Sequence, residues 1–262
     1  AITEALERFN PDAPLEMLFD YVRIRFPTTD VQQVVENILQ LKLSYFLHED
    51  YGFYSYSEHY ALGDIFVLCS HELDKGVLVE LKGRGCRQFE SYLLAQQRSW
   101  YEFFMDVLVA GGVMKRLDLA INDKTGILNI PVLTEKCQQE ECISVFRSFK
   151  SYRSGELVRK EEKECMGNTL YIGSLQSEVY FCIYEKDYEQ YKKNDIPIED
   201  AEVKNRFEIR LKNERAYYAV RDLLVYDNPE HTAFKIINRY IRFVDKDDSK
   251  PQEYPSLQDC RQ

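Results

Sequence analysis

Four segments of this chain read as β-strands that carry a charged or phenolic group among apolar residues: VLVELKG (77–83), RLDLAIND (116–123), EVYFCIYEK (178–186) and RFEIRLKNE (206–214). Strand side chains alternate between the two faces of a sheet, so each segment divides into two sets. Val77, Val79 and Leu81 oppose Leu78, Glu80 and Lys82, while Leu117, Leu119 and Ile121 oppose Arg116, Asp118 and Ala120. Phe207, Ile209 and Leu211 oppose Arg206, Glu208 and Arg210, and Phe181 and Ile183 oppose Tyr180, Cys182, Tyr184 and Lys186. Runs of this period cannot bury their apolar sides as isolated helices; they require a sheet.

The rest of the chain supplies partners for that sheet. MLFDYVRIRF reads as a first strand after Pro11 and Pro14, and TTDVQQVVENILQL as a helix capped within residues 28–30. The aromatic region 45–60, DIFVLCS and GVLVELKG read as consecutive antiparallel strands, because their links are short and marked by glycine. GRGCRQ reads as a basic turn into one long helix over about residues 89–109, ended by Gly111 and Gly112. LTEKCQQEECISVFRSF has the pattern of a further helix, SYRSGELVRKEEKE of a loop or hairpin, and TLYIGS with EVYFCIYEK of a hairpin around residues 173–177. RFEIRLKNE runs into a helix at AYYAVRDLL. The expected fold is α+β: a largely antiparallel sheet with helices on one face, in two related β-α-β-rich halves that meet near residues 124–129 and share one sheet.

Composition narrows the class. A chain of 262 residues with 45% hydrophobic content can bury a large core, and its net charge of −10 opposes indiscriminate adhesion to polyanions, so nucleic-acid contact must use local basic patches. No segment approaches the roughly 18 apolar residues needed to cross a bilayer, and AITEALERFN lacks the regions of a signal peptide, so a cytoplasmic protein is expected. The seven cysteines form no C-x-x-C pair and the four histidines no H-x-H or H-E-x-x-H arrangement, which argues against a disulfide framework, a zinc ribbon and a histidine-built metal site.

Two readings of the acids stay open. If the strands are neighbours, Glu80, Asp118 and Glu208 converge and need a cation, and oxygen-only ligation favours Mg²⁺ or Mn²⁺. Alternatively each acid pairs with its own strand neighbour, Asp118 with Arg116 and Glu208 with Arg210. Basic residues gather at Lys82, Arg84 and Arg87, at Arg147, Lys150 and Arg153, and at Arg206, Arg210, Lys212 and Arg215. With interleaved aromatics such as Tyr152, they suit an unpaired nucleic-acid strand or are solvated charge.

DYVRIRF, ELKGRGCRQFE, KRLDLAIND, TLYIGSLQSEVYFCIYEKDYEQ and NRFEIRLKNE, in this order, resemble rolling-circle replication initiators of staphylococcal-type plasmids and relaxases of Gram-positive conjugative transposons, those of the tetracycline-resistance type above all. The resemblance runs from about residue 15 to 244. It implies a nickase that cleaves one origin strand by tyrosine transesterification, leaving a 5′-phosphotyrosine link and a free 3′-OH. It places the nucleophile at Tyr184, with Tyr188 as the rival, and the metal-associated acids at Asp118 and Glu208, with Glu80 the less certain third. Lys186 would offset phosphoryl charge, and Lys82, Arg84, Arg206, Arg210 and Lys212 would contact DNA. Many relatives carry a second acid where this chain has Arg210, which implies a metal shell that is smaller or is completed by water and substrate phosphate. Residues 1–14 resemble the remnant of a helix-turn-helix domain, 15–245 the catalytic domain, and 246–262 read as a polar tail. The implied partners are single-stranded or locally melted origin DNA, other transfer or replication proteins and a second copy of the chain, without membrane insertion. The competing functions are a metal-dependent nuclease that uses water and a non-catalytic DNA-binding module of a transfer complex.

Overall fold

A computed structural model describes residues 13–72, 74–155 and 166–245. The expectations for residues 1–12 and 246–262 lie outside the described residues.

The first strand, β1 (Leu15–Phe26), buries Val22, Ile24 and Phe26 in strict alternation and ends where Pro27 withdraws its N–H. It pairs antiparallel with β5 (Val77–Lys82), and β5 pairs on its other side with β4 (Ile65–Cys69), then β3 (Glu58–Leu62) and β2 (Leu47–Glu49) follow outward. A strand flanked on both sides reads as a near-continuous apolar run, and β5 exposes only Lys82. The remaining long strands are β6 (Val113–Asp123), β8 (Phe149–Gly155), β9 (Met166–Ile172), β10 (Val179–Glu185) and β11 (Asn205–Lys212). Together they form a ten-stranded sheet in the order β2-β3-β4-β5-β1-β6-β11-β10-β9-β8. Outward from β1 the chain uses β5, β4, β3, β2; outward from β6 it uses β11, β10, β9, β8, so the two halves of the sheet repeat one order. A separate two-stranded sheet joins β7 (Cys142–Ser144) to β12 (Ile241–Phe243).

By packing, the chain divides into two compact units. The first holds Phe19–Leu119 and Arg210–Pro229, and the second holds Asp12–Leu18, Ala120–Ile209 and the chain from Glu230. The boundary therefore falls inside β6, a few residues before the expected 124–129 junction, and a late segment returns to the first unit.

Four local expectations are corrected. The helix expected from residue 31 is a short α1 (Val31–Gln33) that widens into a π-helical turn, Val34–Ile38. GRGCRQ is not a turn: α2 (Gly83–Ala95) begins at Gly83, so Arg84 and Arg87 are helical. The single long helix is broken, with Gln97 at φ +55 and α3 (Trp100–Val109) started afresh by a Ser99–Glu102 capping box. Arg98 fixes the break by donating to the carbonyl oxygens of Ile38 and Leu39 while pairing with Asp106 at 2.8 Å. Finally α4 (Ile130–Gln138) stops at Glu140, φ +61, and the following apolar residues become β7, whose partner β12 lies about a hundred residues on.

Candidate active site

β10 ends at Glu185, and α5 (Lys186–Asn194) starts at the next residue. Tyr184 therefore sits at a strand end, and Lys186 opens a helix instead of sharing the strand face with it as the alternation predicted. The Tyr184 phenol donates a 2.9 Å hydrogen bond to Oε1 of Glu208 on β11. Glu208 is buried, at 4% exposure, so the bond lies in a low-dielectric environment. Burial raises the Tyr184 pKa above its ordinary value, the Glu208 charge raises it further, and the Arg206 guanidinium opposes both. Arg206 is itself nearly buried and held by a 2.8 Å bond from Nε to Asn122. Its charge acts on the Tyr184 phenol. Lys186 keeps its ammonium 5.6 Å from the Tyr184 ring centre and pairs with Glu189, which also binds Lys193. All of these groups belong to the second unit.

Tyr188, the rival nucleophile, is placed for packing. It is 7% exposed on α5, its hydroxyl has no hydrogen-bond partner among the described residues, and its ring lies against Gly167 of β9. A Cβ at Gly167 would stand 2.1 Å from the Tyr188 ring. Gly167→Ala is accordingly expected to cost about 1–3 kcal/mol of stability by forcing the ring away. Denaturant melts check this, and an alanine variant as stable as the parent would contradict the packing.

The raised Tyr184 pKa has a consequence for stability. Its folded-state value lies above that of the unfolded chain, about 10, so above that pH the unfolded state releases a proton that the folded state keeps. Stability present below pH ~10 is then lost as pH rises, at up to ~1.4 kcal/mol per pH unit from this group. Urea melts from pH 9 to 11 should fall more steeply for the parent than for Tyr184→Phe; parallel slopes would refute the shift.

The other two acids lie in the first unit, each with its own partners. Glu80 accepts from the hydroxyls of Tyr21 and, at 3.0 Å, Tyr54, with Arg23 and Lys82 at 3.8 and 3.6 Å. Asp118 is forked by Arg116 at 2.9 and 2.7 Å, and Nε of Arg210 lies 3.8 Å away. Asp118 thus takes the same-strand arginine, as one sequence reading had it, while Glu208 engages Tyr184. Arg84 is an exposed residue paired with Asp64 at 3.4 Å. Glu80 and Asp118 have cationic partners, whereas Glu208 is the carboxylate beside the phenol, the kind of oxygen donor that a hard divalent ion takes. Among the described residues, one group of three potential ligands has atoms within 4.8 Å of one another, His48, Asp50 and Glu58. His48 is on β2, Asp50 just past its end and Glu58 on β3, 2.6 Å from His48; the pairing of β2 with β3 brings Glu58 to the other two, which sequence spacing does not reveal. Sequence reasoning also passed over Tyr21, Arg23 and Tyr54; a basic residue two positions after a strand tyrosine was the available sign.

No described helix is long and apolar enough to cross a membrane. A rolling-circle replication initiation protein N-terminal domain matches residues 16–106, and a replication initiation factor matches residues 112–260. The Bacillus subtilis (strain 168) protein named "Putative DNA relaxase NicK" is 43% identical over 244 residues, which span 93% of this chain and 68% of that protein. The structure of a rolling-circle replication initiator protein from Geobacillus stearothermophilus superposes with a TM-score of 0.75 at 26% identity, covering 90% of this chain and 89% of that one. With one domain of this kind matched from β1 to α3 and the other from β6 onward, the chain belongs to the replication initiation factor family, Rep_trans.

Proposed function

We propose that the chain nicks one strand of origin DNA by transesterification, with Tyr184 as nucleophile. The observation that carries this reading is the hydrogen bond from the Tyr184 phenol to the buried Glu208 carboxylate, within the field of Arg206. A phenol with a raised pKa is a weak nucleophile until its proton leaves. Glu208 is oriented to take that proton as Oη approaches phosphorus, and Arg206 stabilises the negative charge that develops on Oη. The Oη–P bond forms as the bond from phosphorus to the 3′-oxygen breaks; the 5′-phosphate stays on Tyr184, and the departing 3′-oxygen takes a proton from solvent to become a free 3′-OH. The covalent link conserves the phosphodiester energy, so the same site can rejoin the strand. Lys186, tied to Glu189, acts on the ring from 5.6 Å and orients the start of α5. A Mg²⁺ or Mn²⁺ ion held at Glu208 would supply Lewis acidity toward a non-bridging phosphate oxygen. The substrate class is a single-stranded or locally melted origin, and the cellular setting is the cytoplasm.

The test is mass spectrometry of tryptic peptides after incubation with a single-stranded origin oligonucleotide and Mn²⁺. A nucleotide on the peptide that carries Tyr184 is expected. Cleavage without any covalent adduct would make the chain a water-using nuclease, and no cleavage at all a binding module.

A further inference from the structure

Four cations of the first unit stand together on neighbouring strands: Arg23 on β1, Arg116 on β6, and Arg210 and Lys212 on β11. Their association is shown by their shared partners. Asp118 takes Arg116 in a fork and has Arg210 at 3.8 Å, while Arg23 lies 3.8 Å from Glu80. Lys212 sits in the fields of Arg116, Arg23 and Arg210; burial, and then these like charges, lower its pKa despite the opposing charge of Asp118. Lys82 stands 3.6 Å from Glu80 as well. Cations gathered on neighbouring strands raise the local positive potential and attract an anion.

The aromatic groups at the same place narrow the anion. The Arg116 guanidinium is stacked 3.9 Å from the centre of the Tyr21 ring, and the Tyr21 and Tyr54 hydroxyls both donate to Glu80. Tyr54 leaves 51% of its surface exposed, has Arg23 5.2 Å from its ring centre, and is held by two successive left-handed residues, Tyr54 at φ +54 and Ser55 at φ +66. Non-glycine residues adopt that conformation at a cost, which is commonly retained where a side chain must be aimed. A planar ring beside a cation cluster is the pairing that single-stranded nucleic acid uses, phosphate on the cations and base on the ring.

We propose that Arg23, Arg116, Arg210 and Lys212, with Tyr54 as the stacking surface, hold one nucleotide of the single strand in addition to the phosphate that Tyr184 attacks. Asp118 and Glu80 are positioning residues here: they fix the arginine planes. The proposal rests on the strand-nicking reading for its choice of ligand, but its test does not need catalysis.

Binding of a fluorescein-labelled single-stranded oligonucleotide of about 20 nucleotides is measured by anisotropy against salt, in the full chain carrying Tyr184→Phe. Each phosphate no longer neutralised lowers the slope of log K against log salt by about 0.7. Lys212→Gln and Arg23→Gln should each lower it by part of that amount and together by about 0.7, while Arg23→Lys should restore the share of Arg23. Tyr54→Ala should weaken binding about tenfold with the slope unchanged, the signature of lost stacking. Slopes unchanged in both glutamine variants overturn the proposal, as does loss of slope with a silent Tyr54→Ala, which would indicate a general polyanion or acidic-peptide surface. If one variant fails to fold by circular dichroism, the other decides. The parent chain is assayed separately for the covalent adduct. Its absence, alongside the expected slopes, would reject the transesterification reading and support this one, whereas an adduct with unchanged slopes would do the reverse.

Discussion

Tyr184→Phe is expected to abolish covalent attachment to a single-stranded origin oligonucleotide, lowering nicking by more than about 10⁴-fold, the scale on which loss of a nucleophile acts. The substitution removes one hydroxyl, and with it the 2.9 Å bond to Glu208. Stability should fall by only about 1 kcal/mol, because Glu208 keeps other interactions. Tyr188→Phe is the control. It deletes a buried hydroxyl that has no partner among the described residues, so the adduct should persist and the melting temperature should hold or rise. Gel assays of adduct formation with each variant decide the matter. An adduct retained by Tyr184→Phe and lost by Tyr188→Phe would transfer the chemistry to α5.

Glu208→Gln should lower nicking about 10²–10⁴-fold at neutral pH, the range of a lost general base, while the amide oxygen still accepts from the phenol. The pH dependence separates this role from a structural one. Burial is the first cause of the raised Tyr184 pKa and the Glu208 charge the second, so removing the charge lowers that pKa and leaves more phenolate at any alkaline pH. The deficit of the variant should therefore narrow as pH rises from 7 to 10. A deficit that is constant across that range, or no deficit, would mean that Glu208 does not receive the proton.

The strands were legible because alternation is a local property: VLVELKG, RLDLAIND, EVYFCIYEK and RFEIRLKNE each reveal their two faces without reference to the rest of the chain. The same is true of the motifs that tie the chain to its family and place Tyr184 at the end of β10. The helix breaks were not legible. Gln97 and Glu140 adopt left-handed conformations that their side chains do not announce, and Arg98 enforces the first break from contacts near residue 38. Nor could alternation show that the strand stops at Glu185, since Lys186 fits either a strand face or the first turn of a helix.

Sequence alone determined that Glu80, Asp118 and Glu208 would lie on strands among apolar residues; only the tertiary structure decided what each one meets. Glu80 meets Tyr21 from 59 residues away, Glu208 meets Tyr184 from 24, and Asp118 takes the arginine two places before it. Strand register sets these partnerships, and register is fixed by how distant strands bury their apolar faces together. That is why three acids equivalent in sequence became one partner of a buried tyrosine and two anchors of arginine.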